Sequence, residues 1–169
     1  MANKYYIGDL HIGHSAMAKK RGFASHEDMF EYMKEKWNAK VNKNDVVYVM
    51  GDVVMERRRF IKKLAELKGK KIIVLGNHDR PQDTEEYLKY AIKVTAMVKY
   101  KSMFFTHCPI HPMELDYRVK LNVHSHTHEK SVMKKLFGLF SVKDDRYICV
   151  SCEHIDYEPK SLEELGINI

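Results

Sequence analysis

The chain has 169 residues, 44% apolar and 31% charged, the balance of an ordinary globular domain with one sizeable core rather than a disordered or fibrous chain. No apolar run approaches the roughly 20 residues of a membrane span, and the opening MANKYYIGDL lacks the apolar segment of a secretory signal; the expectation is one domain over 1–169, cytoplasmic, with no membrane partner. Lys and Arg number 29 against 23 acids, a net +6, which is compatible with phosphate-bearing partners and equally with a well-solvated surface.

KYYIGDLH (4–11) reads as a short strand running into a polar turn at Gly8-Asp9. SHEDMFEYMKEKWNAKV (25–41) is a helix, with Ser25 as N-cap and Asp28 three residues on. Met29, Met33 and Trp37 recur there at helical spacing and belong in the core. DVVYVM (45–50) is a buried strand ending at Gly51-Asp52. RRRFIKKLAELKG (57–69) puts Phe60, Ile61, Leu64 and Leu67 on one helix face and stops at Gly69. KKIIVLGNHD (70–79) is a further apolar strand, and a weaker helix over 83–91 follows Pro81. Strand and helix alternate, the signature of βαβ units and a parallel sheet.

The second half is β-rich. IKVTAMVKYKSMFFTH (92–107) reads as two strands joined near Lys99–Lys101; KLNVHSHTH (120–128) and RYICVSCEH (146–154) add two more. SLEEL (161–165) predicts a short helix capped by Ser161. The segment 130–145 mixes lysines with Val132, Met133, Leu136, Phe137, Leu139 and Phe140. It is expected as a hairpin or short helix packed on the core, with a lid or a dimer contact as alternatives. The fold class is α/β or α+β, in four layers of helix and sheet or two facing sheets. Cys108, Cys149 and Cys152 are an odd count with no export signal, so reduced thiols are expected; Cys149 and Cys152, three positions apart, would point to opposite faces of a strand, against a zinc or redox pair.

Polar residues gather where strands end: Asp9-Leu10-His11, Gly51-Asp52, Gly76-Asn77-His78-Asp79, Thr106-His107, and His126 with His128. Ligands of open α/β sheets bind beyond the carboxyl ends of strands. Asp, His and Asn make a mixed oxygen and nitrogen environment suited to Mn²⁺, Fe or Zn²⁺ in an open catalytic site. A set of this size is too large for one ion that keeps a position for substrate, and about right for two ions sharing a carboxylate. Glycines precede Asp52 and Asn77, where the backbone must turn tightly.

This ordered set closely resembles the calcineurin-like metallophosphoesterase family. The matching elements are Asp9-x-His11, Gly51-Asp52, Gly76-Asn77-His78-Asp79, His107 and His126-x-His128, and DLHIGH and THCP are similar to its small bacterial and phage members. The resemblance implies a four-layer αββα sandwich of two mixed β-sheets flanked by helices. It implies one metal held by Asp9, His11, Asp52 and His128, and a second by Asp52, Asn77, His107 and His126. It places His78 at the scissile phosphate, with Asp79 orienting it through a hydrogen bond. Where the family usually has H-G-H-x-H, this chain has Ser125; a positive φ there would cost a serine about 1 kcal/mol.

The expected activity is hydrolysis of a phosphate ester by water activated between two divalent ions, with manganese first and iron, zinc or nickel as alternatives. A phosphodiester of a nucleotide or nucleic acid is favoured over a monoester, because the short chain suggests no cap over the site. A non-catalytic scaffold on the same fold, or a nucleic-acid-binding protein using the +6 charge, are the rivals. Asn77, His78, His14, His124 and Arg21 are candidate substrate contacts, against plainer readings of loop, structural and surface residues for the last three. ERRR (56–59) is either a guide for an anionic substrate or a solvated helix start. A monomer and a homodimer are both compatible with the sequence.

Overall fold

β-branched runs separated by helical crossovers build the first sheet. In the computed structural model, which describes residues 2–55 and 58–168, β1 (Lys4–Ile7), β2 (Val46–Met50), β3 (Lys70–Val74) and β4 (Lys93–Thr95) lie side by side in that order, all parallel. The helices α1 (Ser15–Lys20) and α2 (His26–Lys40) connect β1 to β2. A 3-10 helix (Arg58–Glu66) connects β2 to β3, and α3 (Thr84–Tyr87) lies between β3 and β4. Ser25 caps α2 as expected, its Oγ accepting from Asp28 N at 3.0 Å.

The second sheet holds β5 (Val98–Tyr100), β6 (Met103–Phe105), β7 (Leu121–His124) and, beyond the hairpin, β10 (Tyr147–Cys149), in the order β10-β7-β6-β5. Only β5 runs antiparallel in it. The short helix α4 (Pro112–Tyr117) joins β6 to β7. In β6 the side chains alternate: Met103 and Phe105 enter the central core, while Phe104 joins an outer cluster with Leu115 of α4, Val119 and Tyr147. Tyr6 of β1 stacks on Phe105 at 5.0 Å between ring centres, so the two sheets face each other across this core. Phe30, Met33 and Trp37 of α2 are buried in the same core. The result is the expected αββα sandwich.

Several local expectations change. The four strands of the first sheet are parallel, and its only antiparallel pairing among the described residues is the single bridge of Tyr6 to Lys160 at the edge of β1. The helix after β2 is of the 3-10 type, and Ile61, Leu64 and Leu67 recur every three residues, the spacing that stacks one face of such a helix. The stretch 92–107 contains three strands, because the chain leaves the first sheet after β4 and enters the second at β5. The 83–91 helix shortens to α3 and a turn, and 162–166 is turn despite Glu164 N donating to Ser161 Oγ. Within 130–145, β8 (Met133–Leu136) and β9 (Phe140–Lys143) form a hairpin that projects into solvent rather than packing on the core.

The parallel strands leave their carboxyl ends at one edge. Gly8 joins the two sheets there: its N–H donates to Val150 O at 2.8 Å, and its carbonyl accepts from Cys152 N at 3.1 Å. This seam brings the end of β1 beside the end of β10.

Candidate metal centre

The residues that follow β1, β2, β3, β6, β7 and β10 meet at this edge. Asp9, His11, Asp52, His126 and His128 all take positive φ, between 49° and 68°, turning side chains inward from backbone that would otherwise run past. Gly51 has φ +78°, and a Cβ there would lie 2.4 Å from the His107 ring. At Gly76 a Cβ would lie 2.3 Å from Asp52 Oδ1. Both glycines are therefore required by close approach.

Asp9, His11 and His128 form one cluster, with ligand atoms within 4.8 Å of one another. Asp9 is fully buried. Its Oδ2 accepts from His126 N at 2.8 Å and Ser151 Oγ at 2.5 Å, while Oδ1 has no partner among the described residues. Neither nitrogen of the buried His11 ring has one either. Burial, then the nearby Arg21 charge, pushes His11 down to about 2, so its imidazole is neutral and free to ligate. Burial also raises Asp9. His128 Nδ1 donates to Glu153 Oε1 at 2.9 Å; that bond raises the imidazole's pKa and leaves Nε2 for the cluster. Burying unpartnered polar atoms costs free energy, and a cation among them removes the cost.

The second cluster centres on His107. Its Nδ1 lies 2.9 Å from both Met50 O and Ser125 Oγ. Met50 O can only accept, so Nδ1 carries the proton and Nε2 presents a lone pair. That lone pair faces Asn77 Oδ1 at 2.9 Å, His126 Nδ1 at 3.1 Å and Asp52 Oδ1 at 3.5 Å. With the amide and imidazole so oriented, acceptors converge on a cation-sized space. The donor set thus fits divalent metal ions. Cys108, absent from the sequence-derived set, joins here: its Sγ lies within 4.8 Å of ring nitrogens of His107 and His126. Burial, then the charges of Asp52 and Asp9, raises this thiol's pKa.

The other expected site residues fall differently. His78 donates its backbone N–H to Asp52 Oδ1 at 3.0 Å, and its half-exposed ring stands at the site mouth. Asn77 is exposed beside it. Asp79 does not orient His78. Its buried carboxylate accepts from Val53 N, Gly76 N and Tyr87 Oη at 2.7–3.1 Å, fastening the loop after β3 to the turn after β2. Arg21 is not a substrate contact: its side chain is 2% exposed, donating to Glu153 Oε1 at 2.8 Å and to the Asp9 carbonyl at 2.8 Å. His124 is buried, donating through Nδ1 to Ser125 O at 2.7 Å, with its ring edge against Tyr147. His14 caps α1 through Nδ1 and lies with its ring 5.7 Å from that of His11. Ser125 does not take positive φ; His126 does, so the expected serine cost is absent. Instead Ser125 Oγ braces Met50 O and His107, over the space left by Gly8. Of ERRR, Glu56 and Arg57 lie outside the described residues, and Arg58 pairs with Asp83 and Glu86.

Glu153, Ser151 and Tyr87 were missed from the sequence. The first two follow β10 as the ligands follow their strands, and that position was the available signal. No helix of the described residues is long and apolar enough to cross a membrane.

Comparisons with known proteins give the chain its relatives. Gene 66 protein of Mycobacterium phage D29 is 38% identical over 85 residues, 48% of this chain and 42% of the phage protein, so the match spans less than half of that relative. An uncharacterized protein of Methanocaldococcus jannaschii, MJ1445, is 28% identical over 96% of this chain and 89% of its own length. The crystal structure of a protein of unknown function from Aquifex aeolicus, AQ665, superposes with a TM-score of 0.71 at 21% identity, covering 98% of both chains, and shares the fold. The model of the calcineurin-like phosphoesterases matches residues 5–130, from β1 through the turn that carries His126 and His128, and the chain accordingly belongs to the calcineurin-like phosphoesterase family.

Proposed function

We propose that the chain hydrolyses a phosphodiester of nucleotide or nucleic-acid type with two divalent ions, manganese first and iron, zinc or nickel as alternatives. The observation that carries this reading is the division of one carboxylate. Asp52 Oδ2 faces His11 Nε2 at 3.9 Å, and Asp52 Oδ1 faces His107 Nε2 at 3.5 Å. By this reading Asp9, His11, Asp52 and His128 hold one ion, and Asp52, Asn77, His107 and His126 hold the other. Bound ions would supply a nucleophilic water at neutral pH and neutralise charge on the phosphoryl oxygens.

The chain's own residues do the rest. Asn77 turns Oδ1 inward, which leaves its amide N–H groups to donate to a phosphoryl oxygen. His78, with Nε2 4.0 Å from Asp52 Oδ2, donates a proton to the leaving oxygen or a hydrogen bond to the phosphoryl group. Lys20 and Lys130, with Glu129 between the second lysine and His128, line a groove of about 450 Å³ beside His126 and His128; the net positive lining favours an anionic substrate, and its open form supports one larger than a simple monoester.

The test is a panel with Mn²⁺: a diester and a monoester of one chromogenic alcohol, then 2′,3′- and 3′,5′-cyclic nucleotides. The diester is expected to turn over fastest; activity on monoesters alone overturns the preference. Asp52→Asn should lose bound metal at both positions and at least about 10³-fold in kcat/KM, and near wild-type turnover of the metal-loaded variant would refute the shared carboxylate.

A further inference from the structure

We propose that Cys108 is a thiolate donor at the second metal position, making that position sulfur-bearing while the first is built from oxygen and nitrogen alone. The proposal rests on the two-ion reading above and refines it at one of the two ions. Consecutive residues of a straight strand point to opposite faces. The chain bends at His107 and Cys108 as it leaves β6, and the bend turns both side chains toward His126. Sγ of Cys108 and ring nitrogens of His107 and His126 lie within 4.8 Å of one another. The bend is held from both sides: Thr106 Oγ1 donates to Cys108 O at 2.6 Å, and Ser125 N donates to His107 O at 2.9 Å.

A second observation points to a cation at the same place. The Nε2 lone pair of His107 faces Asn77 Oδ1 at 2.9 Å, His126 Nδ1 at 3.1 Å and Asp52 Oδ1 at 3.5 Å, acceptors brought together with no donor between them. A cation bound at His107 Nε2 is therefore in reach of the Asp52 carboxylate and of the Cys108 thiol. The thiol gives its proton to solvent as the sulfur–metal bond forms. A soft sulfur donor moves the preference of that position away from manganese and toward zinc, iron or cobalt.

The experiment uses Co²⁺ as the probe in the full-length protein. Cobalt loading should give visible d–d bands and a near-ultraviolet sulfur-to-cobalt charge-transfer band. Cys108→Ser should keep d–d bands and lose the charge-transfer band, and its zinc affinity should fall at least about tenfold. In wild type, Zn²⁺ should slow maleimide labelling of Cys108, followed by peptide mass spectrometry, by about tenfold or more. Cobalt d–d bands without charge transfer in wild type, or charge transfer that survives in Cys108→Ser, overturn the Cys108 assignment and leave the two-ion reading standing. Failure of wild type to bind cobalt or zinc at all overturns both.

Discussion

Glu153 reaches neither ion position by the reading above, yet two groups depend on it. Its Oε1 accepts from His128 Nδ1 and from Arg21 Nε, and Arg21 also donates to the Asp9 carbonyl. Burial alone would raise the carboxyl; the donors His128 and Arg21 outweigh it and hold it down to about 2. Glu153→Gln keeps the size and an acceptor oxygen but removes the charge, so the bond that fixes the His128 tautomer becomes a weaker, neutral one. Metal affinity should fall about 10–100-fold, read by competition with a chromogenic chelator while circular dichroism stays unchanged. Unchanged affinity would reduce Glu153 to a packing partner of Arg21. The positions of Asp9, His11, Asp52, Asn77, His107, His126 and His128 were legible because ligand-type side chains sit where apolar strands stop. Glu153 was not, since its meaning lies in a contact with Arg21, 132 positions away. Asp79 misled for the opposite reason: adjacency to His78 suggested a pair, whereas Tyr87 and two backbone N–H groups claim its oxygens.

Among the elements, β3 carries a device at its start. The buried Lys71 ammonium folds back to the carbonyls of Leu67 and Gly69 behind the 3-10 helix. Burial pulls it down to about 8. Between about pH 8 and its ordinary value of 10.5 the unfolded chain binds more protons at this residue than the folded one, so its contribution to stability rises with pH across that window and is lost as pH falls through 8. Relative to Lys71→Met, wild type should gain roughly 2–3 kcal/mol across it, measured by urea unfolding at each pH; a flat difference would place the ammonium in water. The β8–β9 hairpin is the opposite case, with Phe137 85% and Leu139 76% exposed. Replacing 134–142 by a two-residue turn should change stability by less than about 1 kcal/mol, a Tm shift within about 4 °C, and leave metal content intact. Loss of metal would make the hairpin a support of the site. Long amphipathic or β-branched runs such as α2 and β2 were readable; the hairpin's detachment was not, because its apolar residues carry a core-like signal that only a partner surface could decide. The six-residue α1 was missed because His14, rather than Ser, Thr, Asp or Asn, supplies its cap.

At the scale of the molecule, the two sheets meet at the site. Asp9, His11, Asp52 and Asn77 follow strands of the first, and His107, His126 and His128 follow strands of the second. Ions held as proposed would tie the sheets together at the edge where Gly8 already joins them. Chelation should therefore lower Tm: an ion present at 100 times its Kd contributes about 2.7 kcal/mol, so removing two should cost on the order of 10–20 °C. Melting curves with and without chelator, followed by Mn²⁺ add-back, check this, and an unchanged Tm would mean that no ion spans the sheets. The sandwich was foreseen from a strand–helix half followed by a β-rich half together with the family resemblance. The facing of Tyr6 on Phe105 and the crossing between sheets after β4 were not, because both depend on long-range pairing rather than on local pattern.

Five of the inward-turned residues, Asp9, His11, Asp52, His126 and His128, hold left-handed backbone, at roughly 1 kcal/mol each for an L-residue, a sum comparable to the whole margin of stability of a small domain. Glycine would relax any of them. The metal-free chain carries this strain uncompensated, whereas ions bound as proposed offset it by joining the two sheets, so each ion that binds turns backbone strain into a fixed ligand direction.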